Sequence, residues 1–175
     1  MPSAKEIAVT SESGLIEDEK FEQLTNEFAQ LVLERAAPDE VVLYDETAAA
    51  YFANPVRALS GTRGDESLGF GLELMLITPF VISVSQTVLK WLAQTAVESA
   101  MKEASPSVAG YVTRLFRRNT RTTADADADV IALTSSQLHQ VRTLAYDSAL
   151  ATGLDAEKAG LIADSTVGAL ITAAP

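Results

Sequence analysis

Three aspartates with alternate spacing, Asp125, Asp127 and Asp129, could contribute ligands to a metal ion. They match the first half of a calcium-binding loop, in which carboxylates at alternate positions bind the ion. That loop also needs a glycine at its sixth position and a bidentate acid at its twelfth, where this chain has Val130 and Ser136. We therefore interpret the aspartates as part of a solvated linker, and we predict no metal site.

The other chemical motifs are incomplete as well. His139 is the only histidine, and the chain has no cysteine that could join it in a catalytic or metal-binding group. The stretch GFGLEL at positions 69–74 has Leu74 where a dinucleotide-binding loop needs its third glycine. Acidic neighbours such as Asp45 and Glu46 point apart on a helix, so they do not flank one substrate atom. We predict that the chain is not an enzyme and binds no cofactor.

The charge of the chain argues against nucleic acid as a partner. Its 24 acidic and 13 basic residues give a net charge of -11 at pH 7, which repels phosphate backbones. Residues 68–121 are the exception, because they hold six bases and three acids between two acidic flanks. Either the flanks fold over this basic middle, or the middle meets an anionic partner.

The start of the chain does not resemble an export signal. Residues 1–14 contain one lysine and no apolar run, so they lack the pattern of a secretory signal. We interpret them as a mobile tail. The absence of cysteine is compatible with a reducing compartment. We expect a cytoplasmic protein, with a peripheral location at a membrane as the alternative.

Apolar residues recur at helical spacing along most of the chain, and no segment alternates for long enough to demand a sheet. The pattern predicts an all-α protein with a long central helix. A first helix is broken at Pro38, and a shorter second helix stops at Asn54-Pro55, followed by a loop at 55–67. We predict a helical bundle at 15–121, an acidic linker at 122–133 and a helical hairpin at 134–175.

The central segment raises the question of a membrane, since residues 74–89 are sixteen consecutive uncharged residues. A straight bilayer crossing needs about 20 apolar residues at a rise of 1.5 Å each. The segment is therefore too short for a resident span, and a helix inside a soluble core is favoured. Thr78-Pro79 marks either the cap of this helix or a kink in a longer helix that begins near Leu68.

A basic amphipathic helix is predicted after Ser105-Pro106. Its arginines lie on one side: Arg114, Arg117, Arg118 and Arg121. They are candidate ligands for an anionic partner or for lipid head groups, because each such charge near an anionic leaflet contributes about 1 kcal/mol. Together with the apolar central helix they support an alternative function, a membrane-docking or membrane-acting protein that uses residues 68–121.

Local signals are clearest in the C-terminal hairpin. Thr134 and Gln137 fit a capping box at the start of its first helix. Gly153 followed by Leu154 fits the end of that helix, and Asp155 fits the cap of the next one. The second helix is lined with small residues that allow a close neighbour. The hairpin has too little core to be stable alone, so it must pack on the rest of the chain or on another copy.

These features predict a non-enzymatic helical interaction or assembly protein that is bound to a protein partner or forms a homo-oligomer. The candidate contacts are apolar residues of the central helix and the hairpin: Leu76, Phe80, Val84, Val88, Trp91, Leu92, Leu161, Val167 and Leu170.

Several runs resemble alanine-rich helical proteins of unknown function from high-GC bacteria. They are YFANP, GDESLGFGLELMLITPFV, LTSSQL and GLDAEKAGLIADSTVGAL, and the resemblance covers roughly residues 44–175. It implies a helical, bacterial, intracellular protein, and it carries no motif with a chemical role. Some proteins of this group accompany multi-component bacterial defence or signalling systems, which implies an association and no mechanism.

Overall fold

The computed structural model describes residues 18–60, 76–101 and 133–173 of the chain. Every regular element in these ranges is helical, so the all-α prediction is confirmed for them. The elements are α1 (Asp18–Ala36), a 3-10 helix (Pro38–Leu43), α2 (Tyr44–Ala53), α3 (Pro55–Ser60), α4 (Thr78–Met101), α5 (Ser135–Ala151) and α6 (Ala156–Ala173). The predicted tail at 1–14, the predicted basic helix, and the predicted acidic linker as far as residue 132 lie outside the described residues.

Four of the described helices enclose one core. Helix α1 packs against α4 and α6, and α5 packs against the same two helices, so the four form a closed ring. The largest fully buried side chains are Leu33, Phe80, Ile82, Leu89, Leu92, Ile162 and Leu170. The predicted hairpin therefore packs on the rest of the chain, and its buried residues belong to the same core as those of α1 and α4.

Contacts at the two ends of the bundle give the directions of its helices. The Lys90 ammonium, midway along α4, lies 5.7 Å from the ring centroid of Phe21 in the first turn of α1. Glu40, which follows the end of α1, contacts the first turn of α4, so α1 and α4 run antiparallel. Arg35 in the last turn of α1 donates a hydrogen bond to Thr172 in the last turn of α6, so these two helices end at the same end of the bundle.

Two buried tyrosines attach α2 to the bundle. The Tyr44 hydroxyl lies 3.1 Å from the carbonyl oxygen and 3.0 Å from the Oδ1 of Asn26 in α1. The Tyr51 hydroxyl donates to the Oε1 of Gln86 in α4 at 3.1 Å. Burial raises the pKa of both phenols, and the neighbouring carboxylate of Asp45 adds to the rise at Tyr44. Both side chains therefore favour the neutral form that donates these bonds.

The first turn of α4 is capped by a carboxylate from another element. The Oε1 of Glu40 accepts the N–H of Ile77 at 3.0 Å, and its Oε2 accepts the N–H of Thr78 at 2.9 Å and the Thr78 hydroxyl at 2.6 Å. Ile77 and Thr78 are buried, so water cannot reach their N–H groups to replace this acceptor. The negative charge also lies at the end of the helix that its dipole favours.

The start of α4 differs in detail from the sequence prediction. Ile77 is not helical, and its carbonyl accepts the first helical hydrogen bonds, from Phe80 and Val81. The kink interpretation is wrong at this point, because a helix continuing from Leu68 would include residues 76 and 77. The cap interpretation is shifted by one residue, since Ile77 takes the cap position and Thr78 is the first residue of the helix.

A short helix occupies the first part of the loop predicted at 55–67. Helix α3 begins at Pro55, and the Oδ1 of Asn54 accepts the N–H of Arg57 at 3.0 Å. Asn54-Pro55 was interpreted only as the end of α2. The same pair is also a start signal, because asparagine is a good helix cap and proline suits the first helical position. The loop prediction is therefore wrong for residues 55–60.

The signals of the hairpin are confirmed. Thr134 and Gln137 form the reciprocal bonds of a capping box at the start of α5. At its end, Gly153 has a φ of 95°, its N–H bonds to the carbonyl of Leu150, and the N–H of Leu154 bonds to the carbonyl of Ala149. This is the Schellman arrangement, which needs a left-handed residue. The Oδ1 of Asp155 then accepts the N–H of Lys158 and caps α6.

Two glycines of the hairpin predict opposite responses to alanine. Gly153→Ala should lower the free energy of unfolding by about 1–2 kcal/mol, because a Cβ is unfavourable in the left-handed region. Gly160→Ala should raise it by about 0.5–1 kcal/mol, because Gly160 is helical and a Cβ there meets nothing within 4 Å. Urea unfolding of both variants measures the difference, and a shift of the same sign in both would contradict it.

Glu40→Ala should destabilise the fold by about 3 kcal/mol, since it leaves three buried donors without an acceptor. Glu40→Gln should have a smaller effect, because one amide oxygen still accepts. Glu46→Gln is the matched control: this glutamate is exposed on α2, and its loss should change stability by less than about 0.5 kcal/mol. Urea unfolding gives the order, and a Glu40→Ala variant as stable as the control would disprove the capping role.

The buried tyrosines predict a loss of stability in alkali. Their pKa values are raised in the folded state, so the stabilisation is complete below the unfolded value of about 10 and declines as pH rises above it. Each tyrosine contributes a slope of up to about 1.4 kcal/mol per pH unit. Tyr44→Phe should therefore flatten the decline between about pH 10 and 11.5, as measured by urea unfolding at each pH. Equal slopes in the variant and the parent chain would contradict the prediction.

Candidate interaction surface

Most of the predicted apolar contacts lie inside the chain. Five of the nine are fully buried in the core: Phe80, Val84, Val88, Leu92 and Leu170. Three are half-buried: Leu76, Trp91 and Val167. In this fold the five buried residues contact the chain itself, and of the nine only Leu161 is exposed.

The predicted arginines are not among the described residues, and two polar side chains of α4 bond within the bundle. Arg114, Arg117, Arg118 and Arg121 lie outside the described residues. On α4, two of the polar side chains are occupied by contacts within the bundle: Gln86 accepts from Tyr51, and Thr87 lies 3.3 Å from the Ser148 hydroxyl of α5.

Three large apolar side chains are exposed on the neighbouring helices α1 and α6. Leu31 is 37% exposed, Leu161 44% and Ile171 56%. Ten residues correspond to about 2.8 turns, so Leu161 and Ile171 lie about 80° apart around α6, both on its exposed side. We call this surface, made of Leu31, Leu161, Gly168 and Ile171, the α1–α6 face.

Arg35 joins the two halves of the α1–α6 face. It lies one turn after Leu31 on the same side of α1. Its guanidinium donates to Thr172, and its Cδ lies 3.4 Å from the position that a Cβ on Gly168 would occupy. The side of α1 that carries Leu31 therefore meets the side of α6 that carries Gly168.

Two glycines of α6, Gly160 and Gly168, have no side chain that would project from this side of the bundle. Nothing lies within 4 Å of a Cβ built on Gly160, so this part of the helix backbone is open. At Gly168 only the Arg35 side chain fills the space above the backbone. The alanines of the predicted small-residue line are different, because Ala159, Ala163 and Ala169 are buried within the chain. Of that line, Gly160 leaves the backbone of α6 open, whereas Gly168 is covered by Arg35.

Exposed carboxylates surround the α1–α6 face. Glu27 and Glu34 extend from α1 and Glu157 from the start of α6, and none of the described lysines or arginines forms an ion pair with them. Asp164 differs, because its Oδ1 accepts from Arg142 of α5 at 2.6 Å, and this bond raises the pKa of Arg142. The rim of the surface is therefore acidic.

Other exposed apolar side chains are scattered. Val42 is 87% exposed on the 3-10 helix, and Val56 is 77% exposed on α3. The whole of α2 lies between them in sequence, and Leu43 is about half exposed at its start. Single apolar residues on a surface are normal. The α1–α6 face is the stronger candidate, because Arg35 ties its two helices together where the exposed side chains lie.

Histidine, acidic and serine side chains are groups among the described residues that could bind a metal ion or act as a nucleophile. No group of three histidine or acidic side chains could hold a metal ion in this part of the chain. His139 is exposed in the first turns of α5. The Ser85 hydroxyl is buried and has no hydrogen-bond partner within residues 18–60, 76–101 and 133–173, so no base activates it there.

Within the described residues, none of the helices has the length and apolar character that a bilayer crossing requires.

No protein-family model, curated protein or solved structure matches the chain. The resemblance to alanine-rich bacterial proteins therefore stays a prediction. Function has to be inferred from the geometry of the α1–α6 face itself.

Proposed function

We propose that the chain is a non-enzymatic interaction or assembly protein that binds a protein partner or a second copy through the α1–α6 face. The observation that carries the proposal is the exposure of Leu31, Leu161 and Ile171 on two helices in direct contact. Covering apolar surface is favourable by up to about 25 cal/mol for each Å², and the costs of association reduce this gain. Clustered apolar side chains with a polar rim are typical of binding surfaces.

The shape of the surface supports a helical occupant. Two packed helices leave a groove along their line of contact, and an amphipathic helix can bury its apolar side there. The open backbone at Gly160 reduces the distance to which such a helix can approach. Gly160 also lowers the helix propensity of α6 without any contact inside the chain. A partner at this position would explain why a glycine is used where alanine fits.

Membrane docking by the central helix has less support. Phe80, Val84 and Val88 are fully buried, so they would have to leave the core before they reached lipid. Opening the core exposes each of them at a cost of about 1.5–3 kcal/mol. Binding to the bilayer would have to supply at least this much free energy. The α1–α6 face needs no such opening.

The proposal is tested by a double variant, Leu161→Gln and Ile171→Gln. Both side chains are exposed, so the fold should persist while binding falls at least about tenfold, since each lost apolar contact contributes about 1 kcal/mol or more. Light scattering measures self-association, and affinity purification from the native cells measures a partner. Circular dichroism checks that the variant is folded.

Val56→Gln is the matched control, because it removes an exposed valine from α3 and leaves the α1–α6 face unchanged. It should associate like the parent chain. The proposed function fails if the parent chain is a strict monomer without a partner. The same holds if the double variant keeps its association intact.

A further inference from the structure

We infer that the occupant of the α1–α6 face is an amphipathic helix of a partner protein with lysine or arginine beside its apolar side, and not a second copy of this chain. The inference rests on the proposed function and adds the chemistry of the partner. It follows from the charges around the face, from its length and from what a symmetric pairing would bring together.

The charges around the face are acidic and unpaired. Glu27, Glu34 and Glu157 are exposed and form no ion pair with a described residue. Two cationic side chains lie nearby: Arg35 donates to the neutral Thr172 hydroxyl and keeps its charge, and Lys158 pairs with Asp155 at 3.3 Å, so the three glutamates outnumber the one uncompensated cation. A ligand that reaches the apolar centre therefore meets carboxylates at the edge. Lysine or arginine beside its apolar side would satisfy them.

A second copy would bring the wrong charge. A two-fold dimer brings the same patch of both subunits together, so six rim glutamates would surround one interface, with the two Arg35 side chains to offset them. The chain as a whole has a net charge of -11, which adds to the repulsion between copies at longer range. Like charges across an interface are unfavourable, whereas a basic partner is attracted both by the rim glutamates and by the net negative charge of the chain.

The dimensions of the face fit about three helical turns. Leu161 and Ile171 are ten residues apart on α6, which corresponds to about 15 Å along the axis. A partner helix of that length carries apolar anchors at positions i, i+3 or i+4, and i+7. The open backbone at Gly160 gives room for one of these anchors. Flanking cations on the same helix would then lie near the glutamates of the rim.

The test uses two synthetic helical peptides with the same leucine anchors and fluorescent label, one with lysine flanks and the other with glutamate flanks. Fluorescence anisotropy with the full chain measures their affinities at 0.15 M salt and at 0.5 M salt. The lysine peptide should bind at least about tenfold more tightly, and higher salt should weaken it. Leu161→Gln should weaken binding of the lysine peptide, which separates docking from simple charge attraction.

A matched pair of triple variants locates the charges. Neutralising the rim with Glu27→Gln, Glu34→Gln and Glu157→Gln should weaken the lysine peptide about tenfold. The control neutralises three exposed acids near α2, with Asp39→Asn, Asp45→Asn and Glu46→Gln. It changes the net charge equally and should change the affinity less than about twofold, as long-range charge effects are screened at this salt concentration.

The outcomes separate the two proposals. Equal affinity of both peptides, or equal weakening by both triple variants, overturns the basic partner and leaves an interaction surface in place. Self-association that disappears in Leu161→Gln also overturns it, since a second copy is then the occupant. If neither peptide binds and the chain neither self-associates nor binds a partner, the proposed function itself fails.

Discussion

The contact between Glu40 and the first turn of α4 determines how the parts of this bundle fit together. A helix begins with N–H groups that no residue of the helix can accept, and in α4 two N–H groups at this end are buried. One carboxylate satisfies them together with the Thr78 hydroxyl. Glu40 belongs to the 3-10 helix that follows α1. The same bonds therefore hold this 3-10 helix and the end of α1 beside the start of the central helix. This junction places the end of α1 beside the start of α4, in agreement with the antiparallel direction of the two helices.

Two signals that act between close neighbours in the hairpin were predicted correctly. The capping box at Thr134 and the left-handed Gly153 each need only a few consecutive residues, and both are present as expected. Glu40 was not predicted as a cap, because its partners lie 37 and 38 positions further along the chain. Helix α3 was missed for a different reason. Asn54-Pro55 is a stop signal and a start signal at once, and the loop residues that follow it favoured the first interpretation.

The candidate surface could be predicted only in part. Leu31 and Val32 are adjacent apolar residues of α1, yet Val32 is fully buried and Leu31 is 37% exposed. The distinction depends on where α6 packs against α1. The spacing of apolar residues within α1 carries no information about that position. On α6 the spacing is more informative. Leu161, Gly168 and Ile171 lie on a different side from the buried Ile162 and Ala163, so a helical projection would have separated them.

The burial of the central helix and the exposure of the α1–α6 face have one physical origin. A ring of four helices hides only the sides that point inward, and α4 lies where α1, α2 and α5 all contact it. Its apolar residues are consequently used within the chain, and its polar Gln86 and Thr87 bond to neighbouring helices. On the outer sides of α1 and α6, Leu31, Leu161 and Ile171 remain exposed. In this architecture the central helix is therefore the least available for binding, and a partner is better placed on the outer sides of α1 and α6.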